Sequence, residues 1–156
     1  MELWDAYDRH GNKLPGVTLR RGEPVPEGMY HLVSEVLVRH TDGSFLLMRR
    51  DPGKHRGGLW EAAAGGSALR GEDAPACAGR ELEEETGLSG RLIPLGALRH
   101  EAHRTWYAIY LCRTDREKDS VRLQPGETVD YRWVSREELL ALPMEALAAN
   151  RTRMFL

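Results

Sequence analysis

The segment Gly79 to Gly87 reads GRELEEETG and places Glu81, Glu83, Glu84 and Glu85 within two helical turns, with Leu82 as its single large apolar side chain. At roughly 100° per residue, Glu81, Glu84 and Glu85 fall at about 0°, −60° and +40°, on one face about 100° wide, while Glu83 points the other way. Glu81 and Glu85 form an i, i+4 like-charge pair, which costs a few tenths of a kcal/mol on a solvated helix and more when desolvated. Carboxylate oxygens clustered without His or Cys suit a hard cation, Mg²⁺ or Mn²⁺, that keeps waters and binds substrate phosphates. The ordinary alternative is a solvated acidic face, since charge runs are mostly surface. Two neighbours favour the cation. Gly79 inside the helix costs about 1 kcal/mol relative to alanine, so this sequence is not optimised for helix stability. Gly65-Gly66 also stand just upstream, where backbone carbonyls can add oxygen ligands.

The elements that must position this face are legible around it. Asp73 suits an N-cap, Pro75 is tolerated in the first turn, and Gly87 is a natural residue for the turn that ends the helix. ELWDAYD, HGN and KLPGVTL predict an N-terminal hairpin, and YHLVSEVLVR, Asp42-Gly43 and SFLLMRR predict a second. Pro52 to Gly58 reads as an exposed basic loop, and Leu59 to Ala63 as a short strand running into the glycine pair. RLIPLGALR, TWYAIYLCR and DYRWV supply further strands. Ser135 with Glu138 forms a capping-box pattern opening a second helix through Leu139, Leu140 and Leu142, which Pro143 interrupts. A last helical stretch is expected from Met144 to Asn150. Mixed strands with two or three helices imply an α/β sandwich.

Composition bounds the class. The chain has 156 residues, 41% hydrophobic and 29% charged, which fits one domain with a real core. A formal charge of −2 gives no global field for a nucleic-acid polymer or a membrane, so anion recognition has to be local. The opening MELWDAYDRHG lacks the pattern of a signal peptide, and no apolar run approaches membrane-spanning length; a cytoplasmic protein is expected. Cys77 and Cys112 have no CxxC spacing and read as small apolar fillers rather than a disulfide framework or zinc site.

Written out, Gly66-SALRG-Glu72-DAPACAG-Arg80-Glu81-Leu82-Glu83-Glu84-Glu85-Thr86-Gly87-Leu88 fills every defined position of the Nudix box, and the sequence resembles the Nudix hydrolase family. The resemblance implies a Nudix fold: an α/β/α sandwich with a mixed β-sheet, here over residues 29–156, with residues 1–28 as an N-terminal β-hairpin extension of the same single domain. It also implies a loop-helix-loop holding a divalent metal, Mg²⁺ with Mn²⁺ as an alternative. Glu81, Glu84 and Glu85 match the family's metal-binding glutamates, and the carbonyl of Gly65 sits where a backbone ligand is often found. Arg80 is an orienting partner for carboxylates, Glu72 among them. Glu127, before Trp133, stands where some members carry a further metal-binding or catalytic glutamate, with Asp130 a nearby competitor.

Metal ions that neutralise diphosphate oxygens and acidify a bound water remove both obstacles to attack at phosphorus. A glutamate from the set Glu84, Glu85 or Glu127 then accepts the proton. The resemblance implies hydrolysis of a nucleoside diphosphate linked to a group X, so the expected partner is a small diphosphate or nucleotide and the protein a monomer or homodimer. The loop RRDPGKHR brings Arg49, Arg50, Lys54, His55 and Arg56 near the glycine pair as a source of diphosphate contacts, with solvated loop charge as the alternative. Trp106, Tyr107 and Tyr110 lie along a strand whose side chains alternate, where core packing competes with base stacking, and His100 and His103 flank its start as surface or substrate-loop residues rather than metal ligands. WEAAAGGS replaces the phenylalanine-proline pair of many members and, with the N-terminal segment, is similar to the bacterial subgroup resembling isopentenyl diphosphate isomerases. Isomerase chemistry needs a cysteine in a Cys-x-His-Pro setting, and GGSALRG has neither Cys nor His. A catalytically silent nucleotide-binding module is the third reading, disfavoured because all the box carboxylates are kept.

Overall fold

The structure, a computed structural model, describes residues 1–148 and 150–156, with Ala63 described by its backbone alone. Among the described residues, nine strands and two α-helices follow one another as β1 Leu3–Tyr7, β2 Lys13–Arg20, β3 His31–His40, β4 Phe45–Arg50, β5 Trp60–Glu61, β6 Ala63–Ser67, α1 Ala74–Thr86, β7 Leu92–His100, β8 Thr105–Thr114, β9 Thr128–Val134 and α2 Arg136–Ala141. β1 and β2 form the expected N-terminal hairpin as a separate antiparallel pair. The other seven strands form one mixed sheet in which β3 and β8 run parallel from His31↔Thr105 to His40↔Thr114.

Strand alternation sorts the sheet into two faces. Val36, Val38, Leu46 and Met48 pack against Ala78 and Leu82 within α1 and Leu88 just beyond it. Leu37, Phe45 and Leu47 pack the other way, against Leu139 of α2 and Leu147. Helices therefore cover both faces, the α/β/α arrangement of the Nudix fold.

The second hairpin is only partly a hairpin. Asp42-Gly43 makes the turn, but β3 and β4 share ladder register only at Arg39↔Phe45. The edge of β3 beyond that point is taken by β6, from Val33↔Ser67 to Leu37↔Ala63, and β4 is taken by β9 and β5. The strand expected from Leu59 to Ala63 likewise divides into β5 and β6, and β6 extends through Gly65 and Gly66. The helix expected from Met144 to Asn150 is not one helix. Met144–Ala146 makes a single 3₁₀ turn, and Leu147 is drawn extended by a bridge to Trp60, with the Ala148 N–H donating to the Trp60 carbonyl at 2.9 Å. Ala149, within that predicted stretch, lies outside the described residues. A further 3₁₀ segment, Arg151–Phe155, follows.

α1 is bounded as its sequence dictates. The Asp73 carboxylate accepts from the Ala76 N–H, and Gly87 adopts φ 75°, with its N–H donating to the Glu83 carbonyl. The helix is clamped by Leu82, 1% exposed, which faces the sheet while the glutamates on either side of it face elsewhere. The prediction is that Leu82→Ala lowers stability by about 2–5 kcal/mol, a buried large-to-small change read by urea denaturation; a change below about 0.5 kcal/mol would show that α1 is not docked through this residue.

Candidate active site

β6 delivers Gly65 and Gly66 opposite the acidic side of α1. A Cβ on Gly65 would lie 2.7 Å from the Ser34 backbone carbonyl, and a Cβ on Gly66 would displace the Glu81 carboxylate from where it lies. Between them opens a polar cavity of about 410 Å³ walled by Gly65, Gly66, Glu81, Glu84, Glu85 and Glu127. The predicted face thus exists: Glu81, Glu84 and Glu85 line one cavity and Glu83 is exposed elsewhere.

These three carboxylates are not equivalent. The side chains of Glu81 and Glu84 are 14% and 45% exposed, and Glu85 as a residue is 7% exposed. Burial pushes the Glu85 carboxyl well above the usual range, and the negative charges of Glu61 and Glu81 push it further. Its one backbone donor, the Gly65 N–H, is 3.4 Å away. Burial also raises Glu81, partly offset by Arg80.

Arg80 organises the cluster. Its Nε and Nη2 hold Glu72 in a fork at 2.7 and 2.8 Å, its Nη1 donates to Glu81 at 2.8 Å and to Glu84 at 3.3 Å, and Nη2 also donates to the Ser67 carbonyl at 3.1 Å. The hydrogen bond from Arg80 holds the Glu72 carboxyl below its ordinary range. In this conformation Glu81 and Glu84 both turn toward Arg80, and among the described residues no three acidic or imidazole side chains close into a metal cage. The donor set nonetheless fits a hard cation. Glu85 is a desolvated carboxylate on which the repulsion of Glu61 and Glu81 outweighs the attraction of Lys54, so one divalent ion would relieve the repulsion that Arg80, already committed to Glu72, leaves in place.

The basic loop divides. Of its four arginine and lysine candidates, Lys54 alone lines the acidic cavity, paired with Glu127. The Asp51 N–H donates to the Glu127 carbonyl at 2.9 Å, tying the two rim loops together. Arg50 is spent on Glu61 at 2.7 Å and on the His55 carbonyl at 3.0 Å, and it lines a different cavity. Arg49 donates to the Gly58 carbonyl at 3.0 Å, and Arg56 is exposed at φ 54°; neither lines the acidic cavity. Asp130 sits exposed in β9 opposite Arg49, so Glu127 is the one of the two that reaches the cavity.

Tyr107 and Tyr110 are buried, and Trp106 donates to the Asp8 carbonyl at 2.9 Å. The His100 and His103 rings stack at 3.7 Å, with His103 Nδ1 2.8 Å from the Tyr107 hydroxyl. Cys77 is buried with its thiol pushed up to about 11 by desolvation, and it donates to the Gly66 carbonyl at 3.3 Å. A buried thiol with so raised a pKa lacks the thiolate character of a reactive cysteine.

Sequence reasoning missed Glu2, Arg21 and Gln124, which also line the acidic cavity. The first two come from the N-terminal hairpin, paired with each other at 3.3 Å, and no local pattern marks them because the hairpin reaches the site only through tertiary docking. That docking rests on the Tyr7↔Tyr30 bridge, on Trp4 stacked on His31 at 4.2 Å, and on the Gly71 N–H donating to Asp5 at 2.8 Å.

The geometry agrees with comparison to known proteins. A model described as NUDIX domain matches residues 29–155, so the chain belongs to the NUDIX family and stands among its pyrophosphohydrolases. An uncharacterized Nudix hydrolase of Listeria monocytogenes is 33% identical over 147 residues, covering 91% of this chain and 85% of the relative. The isopentenyl-diphosphate Delta-isomerase of Rhodobacter capsulatus is 35% identical over 77 residues, but that match spans 49% of this chain and 44% of the enzyme, a partial likeness. A crystal structure of a Deinococcus radiodurans protein has a TM-score of 0.79 at 19% identity, covering 99% of this chain and 97% of that one, which is a likeness of fold.

Because Glu85 carries a raised carboxyl, the folded protein holds its proton over a pH window in which the unfolded chain has lost it. Stability in chelator therefore falls as pH rises from the ordinary glutamate range, about 4.3, through the raised value, and the cost is fully present above it. Glu85→Gln is expected to raise the melting temperature of the metal-free protein at neutral pH, with the gain vanishing below about pH 4. An equal or lower melting temperature at neutral pH would contradict an uncompensated charge at this position.

Proposed function

We propose that the acidic cavity hydrolyses the phosphoanhydride of a nucleoside diphosphate linked to a group X, with water attacking phosphorus. The observation that carries this reading is the buried Glu85 and the half-buried Glu81 set against the Gly65-Gly66 backbone, an excess of negative charge that an anionic substrate meets only with a cation between them. Glu81, Glu84, Glu85 and the Gly65 carbonyl would hold Mg²⁺, with Mn²⁺ as a substitute. When bound, the ion neutralises diphosphate oxygens and acidifies water.

The chain's own residues do the rest. Arg80, anchored on Glu72 and the Ser67 carbonyl, fixes the rotamers of Glu81 and Glu84. Lys54 and Arg21, each held at the rim by a glutamate, are placed to meet phosphate oxygens. A carboxylate among Glu84, Glu85 and Glu127 accepts the proton of the attacking water. Residues 1–156 act as one domain on a small-molecule substrate, without a nucleic-acid polymer or membrane partner, as a monomer or homodimer. A net charge of −2 and two buried free cysteines accord with a cytoplasmic setting.

The test is a panel of nucleoside diphosphate derivatives and nucleoside triphosphates with Mg²⁺, read by release of mononucleotide and phosphorylated X. Glu84→Gln, a half-exposed change, is expected to leave the melting temperature within about 2 °C while lowering kcat by roughly 10–100-fold or more. Unaltered turnover in that variant would remove Glu84 from the metal site, and no hydrolysis across the panel by the wild-type protein would end the reading.

A further inference from the structure

At the end of the sheet away from Gly65-Gly66, β3 and β8 finish side by side, and their parallel register sets Arg39 next to Arg113. Neighbouring strands lie about 4.8 Å apart and residues in register point to the same face, so two positive side chains leave the sheet from adjacent positions. Glu35, the partner of Gly65, is separated from Arg39 by roughly 13 Å along β3. A cavity of about 310 Å³ opens beside the arginines, walled by Arg39, His40, Thr41, Gly43 and Arg113, and it shares no wall residue with the acidic cavity.

The positive charge of this cavity is uncompensated. Among the described residues neither guanidinium has a carboxylate partner, and Arg39 Nε is buried without a hydrogen bond. The Arg39 guanidinium lies 5.5 Å from the centre of the Phe45 ring, and its Nη2 stands 3.8 Å from where a Cβ on Gly43 would be, which places it under the turn that forms one wall. Asp42, the acidic residue of that turn, is committed elsewhere: its carboxylate accepts from the Ser44 N–H and hydroxyl at 2.9 and 2.7 Å and pairs with Lys118. Asp115, Glu117 and Asp119 follow β8 in the chain, and none of them lines the cavity. His40 is engaged at both ring nitrogens, with Nδ1 accepting from the Asp42 N–H at 3.2 Å and Nε2 2.9 Å from the Arg116 carbonyl. The arginine pair is therefore the cavity's charge, and the exposed Thr41 adds a hydroxyl beside it.

We propose that this cavity binds a phosphate-type oxyanion, inorganic phosphate or a phosphate monoester, through the neighbouring guanidiniums of Arg39 and Arg113 and the Thr41 hydroxyl. A tetrahedral dianion offers oxygens to both guanidinium forks at once and cancels the repulsion between the two arginines. A single carboxylate satisfies one fork and leaves the second charge over. Binding here needs neither a divalent ion nor the carboxylates of α1, so it stands apart from the hydrolase reading.

The experiment titrates the full chain, freed of divalent ions and held in about 0.1 M NaCl to screen loose surface charge, with inorganic phosphate, glycerol 3-phosphate and acetate at matched ionic strength and at a pH where phosphate is a dianion, read by backbone NMR. Phosphate and the monoester are expected to shift the Thr41, Gly43 and Arg113 amides and to saturate below about 10 mM, the range that a few charge-assisted hydrogen bonds support, while acetate binds at least about 10-fold more weakly. Arg113→Gln, a change at an exposed side chain, is expected to weaken phosphate binding about 10-fold. Equal affinity for phosphate and the monoester would mark the free ion as sufficient, and a tighter monoester would show that the attached group also contacts the cavity; either result supports the site. Shifts that follow ionic strength alike for all three anions would overturn it, as would shifts at Lys54 and Arg21 in place of Thr41 and Gly43, or unchanged affinity in a folded Arg113→Gln. The wild-type titration decides the matter even if the variant does not fold.

Discussion

The structure turns on negative charge held where water is scarce. Glu85 is almost fully buried and Glu81 half-buried on one helix face, and Arg80, the cation paired with Glu81, is already forked onto Glu72. A helix selected only for stability would not retain that arrangement, because each desolvated carboxylate without a matching charge costs several kcal/mol in the ionised state. The surrounding architecture makes sense as the means of enforcing it. Leu82 and Ala78 lock the opposite side of α1 to the sheet, Asp73 and Gly87 fix where the helix starts and stops, and the side-chain-free edge of β6 lets the Glu81 carboxylate lie directly on the backbone.

The same constraint explains the division of labour among the basic residues. Arg80 acts inward, setting carboxylate geometry through a bidentate contact that a lysine could not reproduce. Lys54 and Arg21 come from opposite ends of the fold, a loop after β4 and the end of the N-terminal hairpin, and both are held at the rim by glutamates. Arg50 is diverted to the other face through Glu61. Glu61, which lines the cavity behind, also raises Glu85 electrostatically, and Gly65 lines both cavities.

Much of this was legible in the chain itself. The helix limits, the turn at Asp42-Gly43, the capping box at Ser135, the N-terminal hairpin and the shared face of Glu81, Glu84 and Glu85 all follow from short-range rules: capping, left-handed glycine and helical periodicity. The departures all come from longer range. β3 and β4 look like a hairpin because a turn joins two apolar runs, but turn chemistry does not say how far the ladder continues once β6 competes for the same edge. The segment after Pro143 has helical composition, yet pairing with Trp60 holds Leu147 extended. Proximity along the chain likewise grouped Arg49, Arg50, Lys54 and Arg56, and the folded loop separates them.

What the sequence determined alone is the chemistry of α1, since three carboxylates at helical spacing beside a glycine pair, with an arginine one residue ahead, are fixed by covalent order and the 3.6-residue period. What only the tertiary structure decided is which distant residues complete the site. Glu2 and Arg21 reach it through the docked hairpin and Glu127 through the rim loop bonded to Asp51, while Arg151 and Thr152 close the separate cavity on the opposite face. Those contacts join residues up to 116 positions apart, as for Glu35 and Arg151, and arise from how sheet edges and faces are shared out, a competition that no local pattern encodes.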